Sequence, residues 1–135
     1  IHVHIGIDTG MHRLGIRSEC IDQVLAVYQM EHLCVDGLFT HFCAADTMDA
    51  RDTSYTKDQA EAFYRLAAQL KKLGYPCPKI HMQASYGVFH YPEYAGDYAR
   101  VGIALYGVLS TKEDTLRWQE ELQPVLSLKA RIATV

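Results

Sequence analysis

The chain has 135 residues, 49% of them hydrophobic and 21% charged, enough for one globular domain with a real core. Its net charge of −3 leaves no basic surface for nucleic acid or anionic membrane, and no apolar run approaches the roughly 18 residues of a spanning helix. Cys20, Cys34, Cys43 and Cys77 form no C-x-x-C pair and sit in or beside apolar segments, so reduced thiols in a cytoplasmic setting are expected and a structural disulfide is not. The chain opens inside a strand pattern, IHVHIGI, with no initiator Met, and closes inside another, LSLKARIATV. It is expected to be a fragment of a longer protein.

The first predicted strand covers about residues 2 to 7. Ser18 then stands where an N-cap precedes a helix of about 19 to 31, whose Ile21, Val24, Leu25 and Tyr28 share one face. Residues 33 to 40, LCVDGLFT, read as a second strand ending at His41. Thr56 and Gln59 have the spacing of a capping box for a helix of about 57 to 73, with Phe63, Leu66, Ala67 and Leu70 as its buried stripe and Gly74 and Pro76 as its stop. KIHM (79 to 82) is a short third strand leading to Ser85, and ARVGIALYG (99 to 107) a fourth. This alternation predicts an α/β fold with parallel strands and right-handed crossovers. Residues 112 to 120 read as a short helix or linker, and LQPVLSLKARIATV alternates like a strand of a separate antiparallel region, which sets a domain boundary near residue 110.

In parallel α/β folds ligands gather at the C-terminal ends of strands. Arg13 follows the first strand, His41 the second and Ser85 the third, while Arg100, Gly102 and Ile103 lie on the fourth. Each has an ordinary structural alternative: a surface ion pair for Arg13, a backbone-bonded core histidine for His41, a helix cap for Ser85, and an ion pair with Asp97 for Arg100.

Taken together, IDTGMHRLGI, GLFTHFCAAD, and DYARVGIALYG followed by LQPVLSLKARI resemble the pyridoxal-phosphate alanine racemases, and IHMQASYGVFHYPE is most similar to the serine/alanine racemase domains of vancomycin-resistance systems. The resemblance spans nearly the whole chain. It implies the C-terminal half of a TIM-type (β/α)8 barrel over residues 1–110, and over 111–135 a linker and the first strand of a β domain. It also implies that Arg13 binds the substrate carboxylate, that His41 lies against the cofactor's pyridine ring, and that Arg100 donates to the pyridine nitrogen. Ser85 and the backbone N–H groups of Gly102 and Ile103 would hold the phosphate. Two positions depart from the family pattern: Gly6 stands where a lysine, often carbamylated, is common, and Ala84 where an asparagine is common.

The resemblance places the lysine that carries the cofactor, and the tyrosine that serves as opposing base, outside these residues. None of Lys57, Lys71, Lys72, Lys79, Lys112 and Lys129 falls at the C-terminal end of a predicted strand. The isolated chain is therefore expected to be inactive; its unpaired first and fourth strand edges and uncovered barrel face are expected to make it self-associate, and the resemblance implies a homodimer for the full-length enzyme. Two other readings stand beside this one. The first is a non-catalytic pyridoxal-phosphate-binding barrel. The second is a TIM-barrel metal hydrolase that uses the His2-x-His4 pair with His41, His81 and Asp97.

Overall fold

The computed structural model describes residues 1–76 and 79–134; Cys77, Pro78 and Val135, and with them the expected state of the Cys77 thiol, lie outside the described residues. The chain divides into two compact units, Ile1–Arg100 and Val101–Val135.

The first unit is an α/β layer built on four parallel strands. They are β1 (His2–Asp8), β2 (Ile16–Arg17), β3 (Cys34–Phe39) and β4 (Lys79–His81), arranged in the order β2-β1-β3-β4. The two-residue β2 is an element the sequence does not announce. Val3 pairs with Val35 but His4 with Gly37, so Asp36 is an extra residue that bulges out of β3. Helix α1 (Ile21–Tyr28) joins β2 to β3, and α2 (Ala50–Lys72) joins β3 to β4. The core lies between sheet and helices: Ile5, Ile7, Val35 and Leu38 from the strands meet Val24 from α1 and Phe63, Leu66 and Leu70 from α2, all buried.

Helix starts differ from the pattern-based expectation. α1 begins at Ile21 with Cys20 at the N-cap position and no side-chain cap; Ser18 stands two residues earlier, its amide donating to the Asp8 carbonyl and its hydroxyl to Glu19. α2 begins seven residues before the expected capping box. Asp49 caps it by accepting from the Asp52 amide, and Thr56 and Gln59 lie a turn or more inside, fully buried.

After β4 the chain forms a short helix, α3 (Ser85–His90), then a 3-10 turn at Pro92–Tyr94, and returns to the sheet edge at one point, where Arg100 bridges Ala84 in parallel. The expected fourth strand at 99–107 goes no further. Residues Ile103–Tyr106 instead form a 3-10 helix, ended by Gly107 in the left-handed region at φ 72°. A side chain at 107 would run into the Gln123 carbonyl, so glycine is required there. The second unit also holds α4 (Lys112–Arg117), capped by Thr111, which matches the short helix expected at 112–120. Residues 122–134 form no strand: alternation marks a face to be covered, but a strand needs a neighbour for its backbone groups, and among the described residues none supplies a ladder. No described helix is long and apolar enough to cross a membrane.

Phe63 is completely buried between α2 and the sheet. Phe63→Ala is expected to lower unfolding free energy by about 3–5 kcal/mol, measured by urea denaturation.

Candidate active site

The strand ends converge on one pocket in the first unit, lined by Ile7, Asp8, Met11, Arg13, Leu14, Phe39, Thr40, His41 and Arg100. Three of the sequence-predicted residues, Arg13, His41 and Arg100, are thus brought together. Ser85 is buried in the first turn of α3 and does not line this pocket. Gly102 and Ile103 belong to the second unit, at the start of its 3-10 helix.

Arg13 rides on a loop wound around Asp8. The Asp8 carboxylate accepts from the Gly10 amide at 2.9 Å, the His12 amide at 3.0 Å and the His12 ring at 3.1 Å. Burial opposes the charge on Asp8, but these hydrogen bonds outweigh it and hold the carboxyl below its ordinary pKa. They also hold His12 in the left-handed region, at φ 55°. The Arg13 side chain is exposed, with no ion pair among the described residues.

Arg100 is held quite differently. One terminal nitrogen donates to His81 Nδ1 at 2.5 Å and to the His81 carbonyl at 3.2 Å. The other donates to the carbonyls of Thr40 at 2.6 Å and Met82 at 3.3 Å and to His41 Nδ1 at 3.3 Å. Its Nε–H takes part in none of these bonds. The guanidinium lies 5.2 Å over the Phe39 ring, which itself stacks on His81 at 5.3 Å. The alternative of an ion pair between Arg100 and Asp97 does not form among the described residues; Asp97 instead binds the Lys79 ammonium at 2.9 Å and the Ile80 amide at 2.8 Å.

Gln59 was not among the sequence candidates. Its amide donates to Thr9 Oγ1 at 3.3 Å and to the His41 carbonyl at 3.2 Å and accepts from the Cys43 amide at 3.1 Å, tying the loops after β1 and β3 to α2. A buried polar residue on an otherwise apolar stripe was the available signal. His81 was weighed only as a metal ligand. It sits instead between Arg100 and His4, with its Nε2 2.8 Å from His4 Nδ1. A guanidinium bonded into this group is incompatible with a cation there, so His4, His41, His81 and Asp97 do not assemble the hydrolase ligand set.

Arginine has only donors, so Nδ1 of both His41 and His81 must accept, and both rings are neutral with the proton on Nε2. Burial, then the charges of Arg100 and Arg13, push the His41 pKa down. Burial, then Arg100 and His4, push His81 down to about 4.

A family model described as the alanine racemase N-terminal domain matches residues 1–110. The chain belongs to this family. An amino-acid racemase of Enterococcus faecalis is 37% identical over all of this chain and 19% of its own length. A serine/alanine racemase of Enterococcus gallinarum is 35% identical over 99% of this chain and 19% of its own. Alanine racemase 2 of Bacillus subtilis is 41% identical, covering 98% and 34%. Among solved structures, the alanine racemase of Clostridium difficile 630 in complex with cycloserine superposes with a TM-score of 0.78 at 29% identity, covering 91% of this chain and 33% of that one. The Bacillus anthracis alanine racemase with bound L-Ala-P gives a TM-score of 0.75 at 28% identity, covering 92% and 32%. The chain therefore spans between 19% and 34% of the curated racemases named here.

A histidine that is harder to protonate folded than unfolded stabilises the fold above its unfolded pKa, and the gain is lost as pH falls toward the folded value. For His81 that window runs from 6.5 down to about 4. The thermal midpoint is expected to drop across it. His81→Asn, whose oxygen accepts from Arg100 without titrating, should flatten the drop, with a remainder from His41.

Proposed function

We propose that this chain is part of a pyridoxal-phosphate-dependent racemase that interconverts the enantiomers of alanine, serine or both, supplying D-amino acids for the cell wall. The observation that carries the reading is the pocket itself: in a chain of the alanine racemase family, two guanidinium groups and a neutral imidazole meet at the C-terminal ends of parallel strands. Residues 1–110 are then the C-terminal half of a (β/α)8 barrel, and 111–135 a linker and the start of a β domain. The complete enzyme is a homodimer.

The residues present fit such a cofactor. Five neutral acceptors and, among the described residues, no carboxylate hydrogen-bond to Arg100, and the pocket's two guanidinium groups outnumber its one carboxylate, Asp8, so the site favours an anionic ligand. The Nε–H is the donor left for the cofactor's ring nitrogen. Because arginine does not give up a proton at ordinary pH, that nitrogen accepts a hydrogen bond without being protonated. His41 would lie against the ring, and the family resemblance assigns the phosphate to Ser85 and to the Gly102 and Ile103 amides, which would hold it. When bound, pyridoxal phosphate supplies the electron sink that makes the substrate's α-proton removable.

Arg13 is the clamp for the substrate carboxylate, for which a guanidinium fork is suited. Where the family commonly has a lysine to orient it, this chain has Gly6, and a Cβ built there would come within 3.1 Å of the Phe39 ring and 3.4 Å of a Leu14 methyl. The Phe39 ring thus presses close to the position a longer residue would occupy, and Arg13 is left more mobile. No lysine is among the residues lining the pocket, and this reading assigns the proton-transferring bases to other parts of the enzyme. In this reading the chain alone binds but does not racemise.

The test is a titration of the chain with pyridoxal phosphate, followed by intrinsic fluorescence. Saturable binding weakened by Ser85→Ala and by Arg100→Ala is the expected result, and binding indifferent to both would overturn the assignment of these residues. In the full-length protein, Arg13→Lys should lower kcat/KM for alanine and serine by about 10- to 100-fold, the worth of a charge-assisted hydrogen bond. Racemase activity from the 135-residue chain alone would refute the division of labour.

A further inference from the structure

The His2-x-His4 pair splits its loyalties. His4 turns to His81, whereas His2 lies beside Cys34 and Asp36, near the N-terminal ends of β1 and β3 and so at the opposite end of the sheet from the pocket. His2 is register-paired with Cys34 across the parallel ladder, and the bulge at Asp36 directs its carboxylate to the same place. His2 Nδ1 stands 2.9 and 3.0 Å from the two Asp36 oxygens, and Cys34 Sγ 3.7 Å from one of them. All three donor atoms fall within 4.8 Å of one another.

We infer that His2, Cys34 and Asp36 form a binding site for a divalent cation of the zinc class. An imidazole, a thiolate and a carboxylate are that ion's ordinary donors. With bonds of about 2.0–2.3 Å in a tetrahedron, its ligand atoms lie some 3.3–3.7 Å apart. Here His2 and Asp36 stand at 2.9–3.0 Å, Cys34 and Asp36 at 3.7 Å, and no pair exceeds 4.8 Å, so small side-chain rotations form the set. The donors project from two hydrogen-bonded strands, so little ordering is needed on binding. His2 is 73% exposed and Asp36 43%, which leaves an open approach and a fourth position for water.

Binding replaces the His2–Asp36 hydrogen bond. The Cys34 thiol releases its proton to solvent as the sulfur bonds the metal, and the imidazole binds through Nδ1 with its proton on Nε2. Affinity therefore falls on acidification. The metal would clip β1 to β3 and stabilise the first unit in proportion to the logarithm of free metal above its dissociation constant. This site is independent of the racemase reading, since it shares no residue with the pocket.

The test is titration of metal-free, reduced protein with Co2+ and displacement by Zn2+, read as the sulfur-to-cobalt charge-transfer absorption and as the thermal midpoint. One Co2+ per chain with a thiolate band is expected, together with a raised midpoint. The band should vanish in Cys34→Ser. His2→Ala and Asp36→Asn should each weaken binding by at least the roughly tenfold that loss of even an outer partner costs. These are surface positions, and unchanged circular dichroism of the metal-free variants checks that they fold. No charge-transfer band, a band that survives Cys34→Ser, or binding far below one equivalent would each overturn the site.

Discussion

The arrangement of the strand ends depends on the half-buried guanidinium of Arg100. A charge partly withdrawn from water must be met by acceptors, because a guanidinium donor left unsatisfied away from solvent is destabilising. Here the acceptors are the carbonyls of Thr40, His81 and Met82 and the ring nitrogens of His41 and His81. β3 and β4 therefore end where Arg100 needs oxygen atoms. Arg100 itself is brought to the sheet by one parallel bridge to Ala84 and by its amide bond to the Gln83 carbonyl. Among the described residues no carboxylate hydrogen-bonds to Arg100, so its donors are satisfied by neutral acceptors, and with Arg13 it outweighs the one carboxylate of the pocket, Asp8.

The same constraint orders the imidazoles. Arg100 takes the bare Nδ1 of His81, which obliges the His81 Nε2 to carry a proton and to donate it toward His4 Nδ1. A proton added to His81 would set N–H against N–H at Arg100, in accord with its low pKa. Phe39 covers one face of this assembly and Tyr98 closes on both histidines at ring separations of 5.9 and 6.1 Å. The histidines thus serve as neutral, directional acceptors between strands, a role composition alone does not distinguish from metal ligation.

The elements legible in the sequence were those whose signal is local. β1 and β3 announce themselves as apolar runs, and the Phe63, Leu66, Leu70 stripe of α2 follows from its period. Signals that depend on competition for one partner were not legible. Ser18 looks like a cap, but its amide pairs with the end of β1 and the helix starts only at Ile21; Gln59 looks like part of a capping box, but its amide bonds the loops after β1 and β3. The run at 99–107 is apolar enough for a strand, yet only Arg100 finds a ladder partner before Gly102 and Gly107 turn the chain. Arg13, His41 and Arg100 were placed together by motif resemblance. Strand-end position alone gave their neighbourhood without saying that one arginine would be fixed and the other loose.

That difference between the two arginines suits the chemistry proposed for them. A cofactor must sit in one place through every turnover, and Arg100 is immobilised by five hydrogen bonds to four residues that are themselves fixed by the sheet. A substrate must enter and leave, and the Arg13 side chain stands exposed, with no ion pair among the described residues, on a loop held by Asp8, Tyr55 and Gln59. Gly6 sharpens the contrast, because the Phe39 ring lies close to where a side chain at residue 6, the position the family commonly gives to a lysine, would begin. A clamp that is free to adjust loses rotamer entropy when it closes and so binds its carboxylate less tightly than a preorganised one. It also accommodates a substrate whose side chain shifts the α-carbon, as a hydroxymethyl group does relative to a methyl. In the proposed enzyme, tolerance of serine beside alanine would thus follow from what stands at residue 6 as much as from any group that touches the serine hydroxyl.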